Sequence, residues 1–420
     1  MKTSLKVVLV NHSDTLGGAS VVTRRLMHAL RKAGVDARMV VSSKTTDDEY
    51  VSQMCGRKTQ KMLFLKEHLD IFVNNGFNRA DMFKVSVASA GYDILKHPWV
   101  KQADVVCLNW INQGMLSFTS IERLAKAGKR LVWTMHDMWN LTGVCHHAHE
   151  CTRYRQNCGN CQYIKHGGKD NDLSRRVWKE KKRLYDVADI HFVAVSNWLA
   201  DKCRESSLLS NRPVSVIPNA FPTSDYATEA SLPMLPSDID FDKNIIIMGA
   251  ARLDDPIKGI EYAVEAFNHL HDNYPDVARD CVAVLFGDIR DESILSRIRM
   301  PYRHLGRISD AKVLRNLYAA SKVVLSTSLY ETLPGTLIEG EAAGCVPVSF
   351  GMGGQPDIID HKVNGYIADY KSAQSIAEGI VWAIGHAPSR QQQHQDVYQR
   401  FDADVVAQRY IELFDNLMCN

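Results

Sequence analysis

Two cations six residues apart, Arg252 and Lys258, bracket the turn Leu253-Asp254-Asp255-Pro256-Ile257 directly after an apolar run. Arginine offers a planar fork of donors and lysine a point charge, so a turn ending at a helix start can bring both onto a diphosphate. A solvated loop with ordinary surface charges is the competing reading. A second polar stretch runs from Ser326 to Gly344. Glu331 stays in its loop, Thr332-Leu333-Pro334-Gly335-Thr336 leads into a helix, and Glu339 falls about one turn inside that helix. The free amides at such a start can face an anion or sugar hydroxyls. A carboxylate at Glu339 can accept both hydrogen bonds of a ribose diol, or it can simply complement the helix dipole.

Two further sites follow strands nearer the N-terminus. Gly17 and Gly18 sit in the turn Asp14-Thr15-Leu16-Gly17-Gly18-Ala19-Ser20, where backbone can approach a ligand and the next helix offers its positive end. Only two glycines occur where the dinucleotide fingerprint needs three spaced ones, so a nicotinamide enzyme is disfavoured and a plain tight turn competes with an anion site. His136-Asp137 ends the run Leu131-Val132-Trp133-Thr134-Met135. Polar residues just beyond a strand lie where open α/β sheets bind ligands, although a lone histidine is often structural. Four of the ten cysteines, Cys145, Cys151, Cys158 and Cys161, form a cluster. A structural zinc site suits them, with His146, His147 and His149 as spare ligands; two disulfides or four free thiols are the alternatives.

These residues need strands and helix starts to hold them, and the chain supplies an α/β alternation. Val7 to Val10 are continuously apolar, and Val22, Leu26, Ala29, Leu30 and Ala33 then recur at helical spacing before Gly34. Strands are expected at 37–41, 104–108, 130–135, 190–195 and 214–217, then at 245–248, 282–286, 323–326 and 346–350. The expected domains are 1–220 and 244–388. The linker is 221–243, and a C-terminal helical segment, 389–420, packs back toward the first domain. Two doubly wound units bind ligands at strand C-terminal ends.

With 420 residues, two cores are the default. The net charge of +2 gives no whole-molecule hold on nucleic acid. Neither a secretory leader nor a membrane-spanning run stands out, so the expected location is cytoplasmic. Two basic amphipathic stretches, 57–84 and 175–183, could meet anionic lipid from the inner face of the plasma membrane, although a solvated helix face explains such runs as well.

Taken together, in this order and spacing, the four polar sites resemble family 4 of the retaining glycosyltransferases. That family has the GT-B architecture, two Rossmann-like doubly wound α/β domains facing a central cleft. The resemblance runs from the glycine turn to the last helix. Its most specific part is Glu331 to Gly344, which looks like the family's Glu-x7-Glu followed by small residues and glycine. Arg252 and Lys258 match its diphosphate-binding pair, His136 its donor-site histidine, and Ile217-Pro218-Asn219 its Ile-Pro-Asn-Gly stretch. A narrower resemblance, from His136 to Cys161, is to bacterial surface-polysaccharide members. Ala220 replaces the usual glycine and Asp357 the usual glutamate.

The resemblance implies a nucleoside-diphosphate sugar donor and a glycan or lipid-linked glycan acceptor. Arg252, Lys258 and the helix start after Pro334 would stabilise the leaving diphosphate, with Glu331 on the sugar and Glu339 on the ribose. Gly18 and His136 would close the donor pocket, and the acceptor would attack from the face the leaving group occupied. No catalytic metal is expected: Asp238-Ile239-Asp240 lies in the linker, and Asp402-Ala403-Asp404 opens a helix. The competing functions are a nucleotide-sugar 2-epimerase or hydrolase of the same architecture, and a non-catalytic nucleotide-sugar-binding partner in glycan assembly.

Overall fold

Continuous apolar runs joined by amphipathic segments fold as parallel strands covered on both faces. The computed structural model describes residues 5–164, 170–229, 236, 239–386 and 388–419. Clustering of contacts divides the chain into Met1–Ala220 with Val406–Asn420, and Phe221–Val405.

The first unit holds β1 (Lys6–Ser13), β2 (Asp36–Ser43), β3 (Val51–Gln53), β4 (Val105–Leu108), β5 (Arg130–Met135), β6 (Ile190–Ala194) and β7 (Val214–Val216). They pair in the order β3-β2-β1-β4-β5-β6-β7, and every pairing is parallel. Val7 to Val10 are buried, as are Val22, Leu26, Ala29 and Leu30 on the helix Gly18–Lys32 that covers them.

The second unit holds β8 (Asn244–Arg252), β9 (Cys281–Asp288), β10 (Tyr302–His304), β11 (Val323–Ser326), β12 (Val346–Phe350) and β13 (Tyr366–Ala368). Their order is β10-β9-β8-β11-β12-β13, again parallel throughout. Ile246, Met248, Leu325 and Val348 meet Val264, Phe267 and Ile380 in its core. In each sheet the strand order reverses once, between β1 and β4 and between β8 and β11. Such reversals open a crevice at the strand C-terminal ends.

The terminal segment forms two helices, Arg390–Phe401 and Ala403–Cys419. The first is tied into the second unit by Arg390, whose guanidinium donates to the carbonyls of Ser321 at 2.8 Å and Ala343 at 2.7 Å. From Val406 onward the last helix belongs to the first unit, where the Tyr410 and Thr134 hydroxyls stand 2.9 Å apart. Asp402, between the helices, accepts from the Thr223 hydroxyl at 2.7 Å and the Asp404 amide at 3.0 Å, so it closes a turn. Asp238 of the other Asp-x-Asp pair and part of the expected linker (230–235, 237 and 238) lie outside the described residues. Among the described residues no helix is long and apolar enough to cross a membrane.

Candidate active site

In the second unit, β8 ends at Arg252 and the chain turns sharply. Asp255 accepts from the Ile257 amide at 3.2 Å, and Pro256 presets the following 3-10 turn, Pro256–Lys258. Gly259 has a φ of 62°, and a Cβ there would stand 2.2 Å from the Thr327 carbonyl oxygen. Glycine therefore lets this turn pass under the loop after β11. The Leu329 amide donates to the Ile257 carbonyl at 2.8 Å and the Thr327 hydroxyl to that of Lys258 at 3.1 Å, lashing the two loops together.

The lashing puts the Lys258 ammonium directly on the Glu331 carboxylate, with both side chains roughly a quarter exposed at 28% and 22%. Sequence reasoning assigned these two groups separate roles; the structure couples them. Arg252 is held on the same loop by Asp254 and Asp255, each 3.3 Å away. Glu331 is fixed from below, because the Gly354 amide donates to its carbonyl at 2.9 Å.

Beyond Glu331, Leu333 and Pro334 are buried, and the helix Gly335–Ala342 begins with no side-chain cap, leaving its first amides for a ligand or water. Thr332, Gly335 and Thr336 around that start are partly exposed. Glu339 is partly buried, and its charge helps push the hydroxyl of buried Tyr318 well above its usual range, after burial itself. Glu341, two residues on, is fully buried and takes Asn364 at 2.8 Å; burial raises its pKa well above the carboxylate range, so it is a structural acid.

In the first unit, Gly17 has a φ of 84° and precedes the helix Gly18–Lys32, again without a side-chain cap. A Cβ at Gly17 or Gly18 would meet nothing within 4 Å, so space stands open over this helix start. Buried Asp14 props the turn by accepting from Thr45 and Thr46, at 2.7 Å from the Thr46 hydroxyl. Burial alone would raise the Asp14 pKa, but the bonds from Thr46 and Thr45 outweigh it and lower it.

His136 follows β5 and lines a small cavity with Thr23, Asn109, Thr134, Asn219 and Tyr410. Its Nε2 stands 3.0 Å from Asn109 Oδ1, and burial holds its pKa down at about 4 despite neighbouring Asp137. Held this low, the imidazole is neutral at physiological pH and available only for hydrogen bonding. Asp137 does different work. It accepts from Trp110 Nε1 at 3.0 Å and the Trp139 amide at 2.8 Å, and pairs with His146 Nδ1 at 2.7 Å. Burial opposes its ionisation, but the charge and hydrogen bond of His146 prevail and hold it at about 2. Asn109 and Lys181 were not singled out from sequence. Asn109 sits just past β4, the position expected of a ligand-side residue, whereas nothing in the basic run 175–183 sets Lys181 apart. Lys181 is fully buried, and burial depresses its pKa to about 7 against the pull of Cys158 and Cys145.

Cys145, Cys151, Cys158 and Cys161 line one cavity, and all are free thiols. Burial pushes Cys158 up to about 11 and Cys161 to about 12. His146 is committed to Asp137 and, through Nε2, to the Ser86 hydroxyl 3.1 Å away. Among the described residues no group of three or more His, Cys, Asp or Glu side chains is placed to hold a metal ion.

The two basic stretches differ. On the helix Arg57–Asn74 the exposed apolar residues are Met62, Leu65, Leu69 and Val73, while Ile71 faces inward. On the helix Leu173–Val187, Val177 and Lys181 are buried, and Lys182 and Arg183 pair with Asp186 and Glu122 at 3.0 Å. That second stretch is a packed, ion-paired helix and presents no lipid-facing apolar stripe.

Comparison with known proteins agrees with this architecture. A family described as Glycosyltransferase Family 4 matches residues 16–225, and one described as Glycosyl transferases group 1 matches residues 242–386. An uncharacterised glycosyltransferase of Methanocaldococcus jannaschii is 28% identical over 183 residues, 42% of this chain and 45% of that protein. The chain thus matches less than half the length of that relative. Among solved structures, a glycosyltransferase from Rickettsia africae superposes with a TM-score of 0.67 at 16% identity, covering 100% of both chains. HepE of Anabaena, solved in complex with UDP and glucose, gives a TM-score of 0.59 at 16% identity, covering 98% of this chain and 99% of HepE. Two parallel-sheet α/β units with these likenesses have the GT-B fold.

Proposed function

The chain belongs to glycosyltransferase family 4, and from that premise we propose that it moves a sugar from a nucleoside-diphosphate sugar to a hydroxyl of a glycan or lipid-linked glycan, with retention at the anomeric carbon and without a catalytic metal. The reading rests on one observation above all. Lys258 and Glu331 meet where β8 and β11 diverge, beside the uncapped start of the helix Gly335–Ala342.

Breaking the anomeric C–O bond loads negative charge on the departing diphosphate. Lys258, Arg252 and the free amides after Pro334 supply fixed positive ends for it, the kind of preorganised stabilisation that commonly dominates catalysis. Glu331, already oriented by its carbonyl anchor, accepts from donor-sugar hydroxyls, and Glu339 takes the ribose diol. In the first unit, neutral His136 donates or accepts a hydrogen bond, and open Gly17-Gly18 admits a ligand to backbone distance. The acceptor hydroxyl attacks from the face the leaving group vacates and passes its proton to the departing phosphate oxygen. HepE carrying UDP and glucose on the same fold supports the donor class. The stretch from His136 to Cys161 supports a place in bacterial surface-polysaccharide synthesis.

The acceptor reading extends to a membrane surface. Met62, Leu65, Leu69 and Val73 form one stripe at helical spacing, 60%, 55%, 61% and 48% exposed, among Arg57, Lys58, Lys61 and Lys66. An apolar stripe with basic flanks suits an anionic lipid head-group layer and would hold the protein peripherally beside a lipid-linked acceptor.

Incubating the protein with a panel of nucleotide sugars, with and without lipid-linked acceptor, tests the assignment. Acceptor-dependent incorporation of one sugar is expected. Hydrolysis or epimerisation indifferent to every acceptor would replace transfer with the corresponding reaction.

A further inference from the structure

We propose that Cys145, Cys151, Cys158 and Cys161 bind one structural zinc ion as a tetrathiolate, pinning the long segment that follows β5. Five features carry this beyond sequence spacing. The four side chains border a common cavity of about 20 Å³. Between Met135 and Leu173 the only regular structure among the described residues is two three-residue 3-10 turns, Trp139–Leu141 and Arg153–Arg155. The segment is buried through Trp139, Leu141, Val144 and Tyr154 but has little regular structure to fix its course, and a structural zinc supplies folding free energy directly.

The backbone at the second cysteine pair is the next feature. Cys158, Gly159 and Asn160 take consecutive φ angles of 51°, 100° and 46°. Left-handed conformation costs a non-glycine residue about 1–2 kcal/mol, least for asparagine, so Cys158 above all needs a compensating interaction. The turn is held in place, because a Cβ on Gly159 would stand 2.5 Å from the Asp170 carbonyl oxygen. Its effect is to bring Cys158 and Cys161 to the same cavity.

Amides already address these sulfurs. The Gly143 N–H donates to Cys158 Sγ at 3.1 Å, and the Tyr163 N–H donates to Cys161 Sγ. Such bonds favour a thiolate over a thiol, as a metal ligand requires. The last feature is charge. Four thiols that give their protons to solvent and bind Zn²⁺ leave a net charge of −2. The Lys181 ammonium is buried alongside, donating to the Thr142 carbonyl at 3.0 Å and interacting favourably with Cys158 and Cys145. Among the described residues no carboxylate hydrogen-bonds to Lys181, although Asp137 also favours its charge, and a buried dianionic centre would match this cation.

The histidines are not needed, since His146 serves Asp137 and Ser86. Four soft ligands and no open position select zinc and a structural role. As placed, the four thiols surround the cavity without converging, so binding draws them together by rotation about χ1, the single heavy-atom torsion of cysteine.

Zinc counting on full-length protein, purified under reducing conditions without added metal, tests this. About one zinc per chain is expected. The ion should be lost from Cys158→Ser and Cys161→Ser and kept by Cys55→Ser and Cys419→Ser, which do not line the cavity. The unaltered chain gives a second readout should the variants precipitate: titrating thiols with a mercurial should release zinc in step, and cobalt exchange should give the intense visible bands of a tetrahedral thiolate site. Folded protein with clearly less than one zinc per chain overturns the proposal. So does zinc retained after loss of Cys158 and Cys161, or disulfides among the four in reduced protein.

Discussion

Lys258 and Glu331 form an ion pair, and under the proposed function they hold each other in the orientation a donor would meet. The ion pair is partly exposed, so its own contribution to stability is small. What it provides is a preset ammonium that an arriving phosphate can share. Lys258→Ala should lower kcat by ~10²–10³-fold if the charge acts on the developing leaving group. Glu339→Ala should act mainly through the donor KM, because a ribose contact exists before and after bond breaking. Steady-state kinetics separates the two; equal, small effects at both would move the site elsewhere.

His136 gives a pH prediction. Its pKa falls from 6.5 to about 4 on folding, so the unfolded chain binds more protons between those values. Its contribution to stability is complete above about pH 6.5 and is lost as the pH falls toward 4. Denaturant unfolding at pH 7, 6 and 5 should show declining stability, with a shallower decline in His136→Gln. His12, His97, His149 and His191 shift in the same direction and keep the rest of the slope. Asp137, with its pKa depressed to about 2, adds loss only at lower pH. An unchanged slope in the variant would contradict the buried neutral imidazole. The residues of the proposed site stood out because each stretch joins a strand end to glycine or to a charged or polar side chain. Asn109 and Lys181 were not, because their roles arise from partners on other strands and loops: His136 for the first, Trp139 and Thr142 for the second.

At the scale of elements, two loops are built around backbone that only glycine adopts easily. Gly259 passes under Thr327, and Gly353, with a φ of 74°, passes under the Glu331 carbonyl, where a Cβ would stand 2.1 Å from the oxygen. Gly259→Ala should destabilise the fold by at least the ~1–2 kcal/mol of a left-handed alanine and raise the donor KM, since the clash pushes the Lys258 turn off β11. Unfolding and kinetics on one preparation check this, and a variant equal to the parent in both would show that the lashing is dispensable. The exposed stripe on Arg57–Asn74 makes a separate prediction. Leu65→Glu with Leu69→Glu should abolish co-sedimentation with anionic vesicles while leaving transfer to a short soluble acceptor intact, and unchanged sedimentation would remove the lipid reading.

Long core strands were readable as continuous apolar runs such as Val7–Val10 and Ile245–Ile247. The three-residue edge strands β3, β10 and β13 escaped notice, being too short to show a period and only partly buried. The terminal segment was expected to be helical, with Asp402-Ala403-Asp404 opening its last helix. The structure ends one helix at Phe401 and begins another at Ala403, and Asp402 turns the chain between them through its bond to Thr223.

For the whole molecule, each unit repeats one logic: a parallel sheet reverses its strand order, and the residues proposed for the site collect at the strand ends beside an uncapped helix start. This places Gly17, Gly18 and His136 on one unit and Arg252, Lys258, Glu331 and Glu339 on the other. The first set offers backbone amides and a neutral imidazole, and the second two cations, two carboxylates and a helix start. The account's central claim is that these fixed dipoles and charges carry a same-face transfer by themselves. Resolving the anomeric configuration of the product by NMR, in excess chelator and early in the reaction, tests it most directly. The account predicts that the product keeps the donor's configuration, at a rate indifferent to the chelator. An inverted product, or activity abolished by chelator and restored by Mg²⁺ or Mn²⁺, would contradict it.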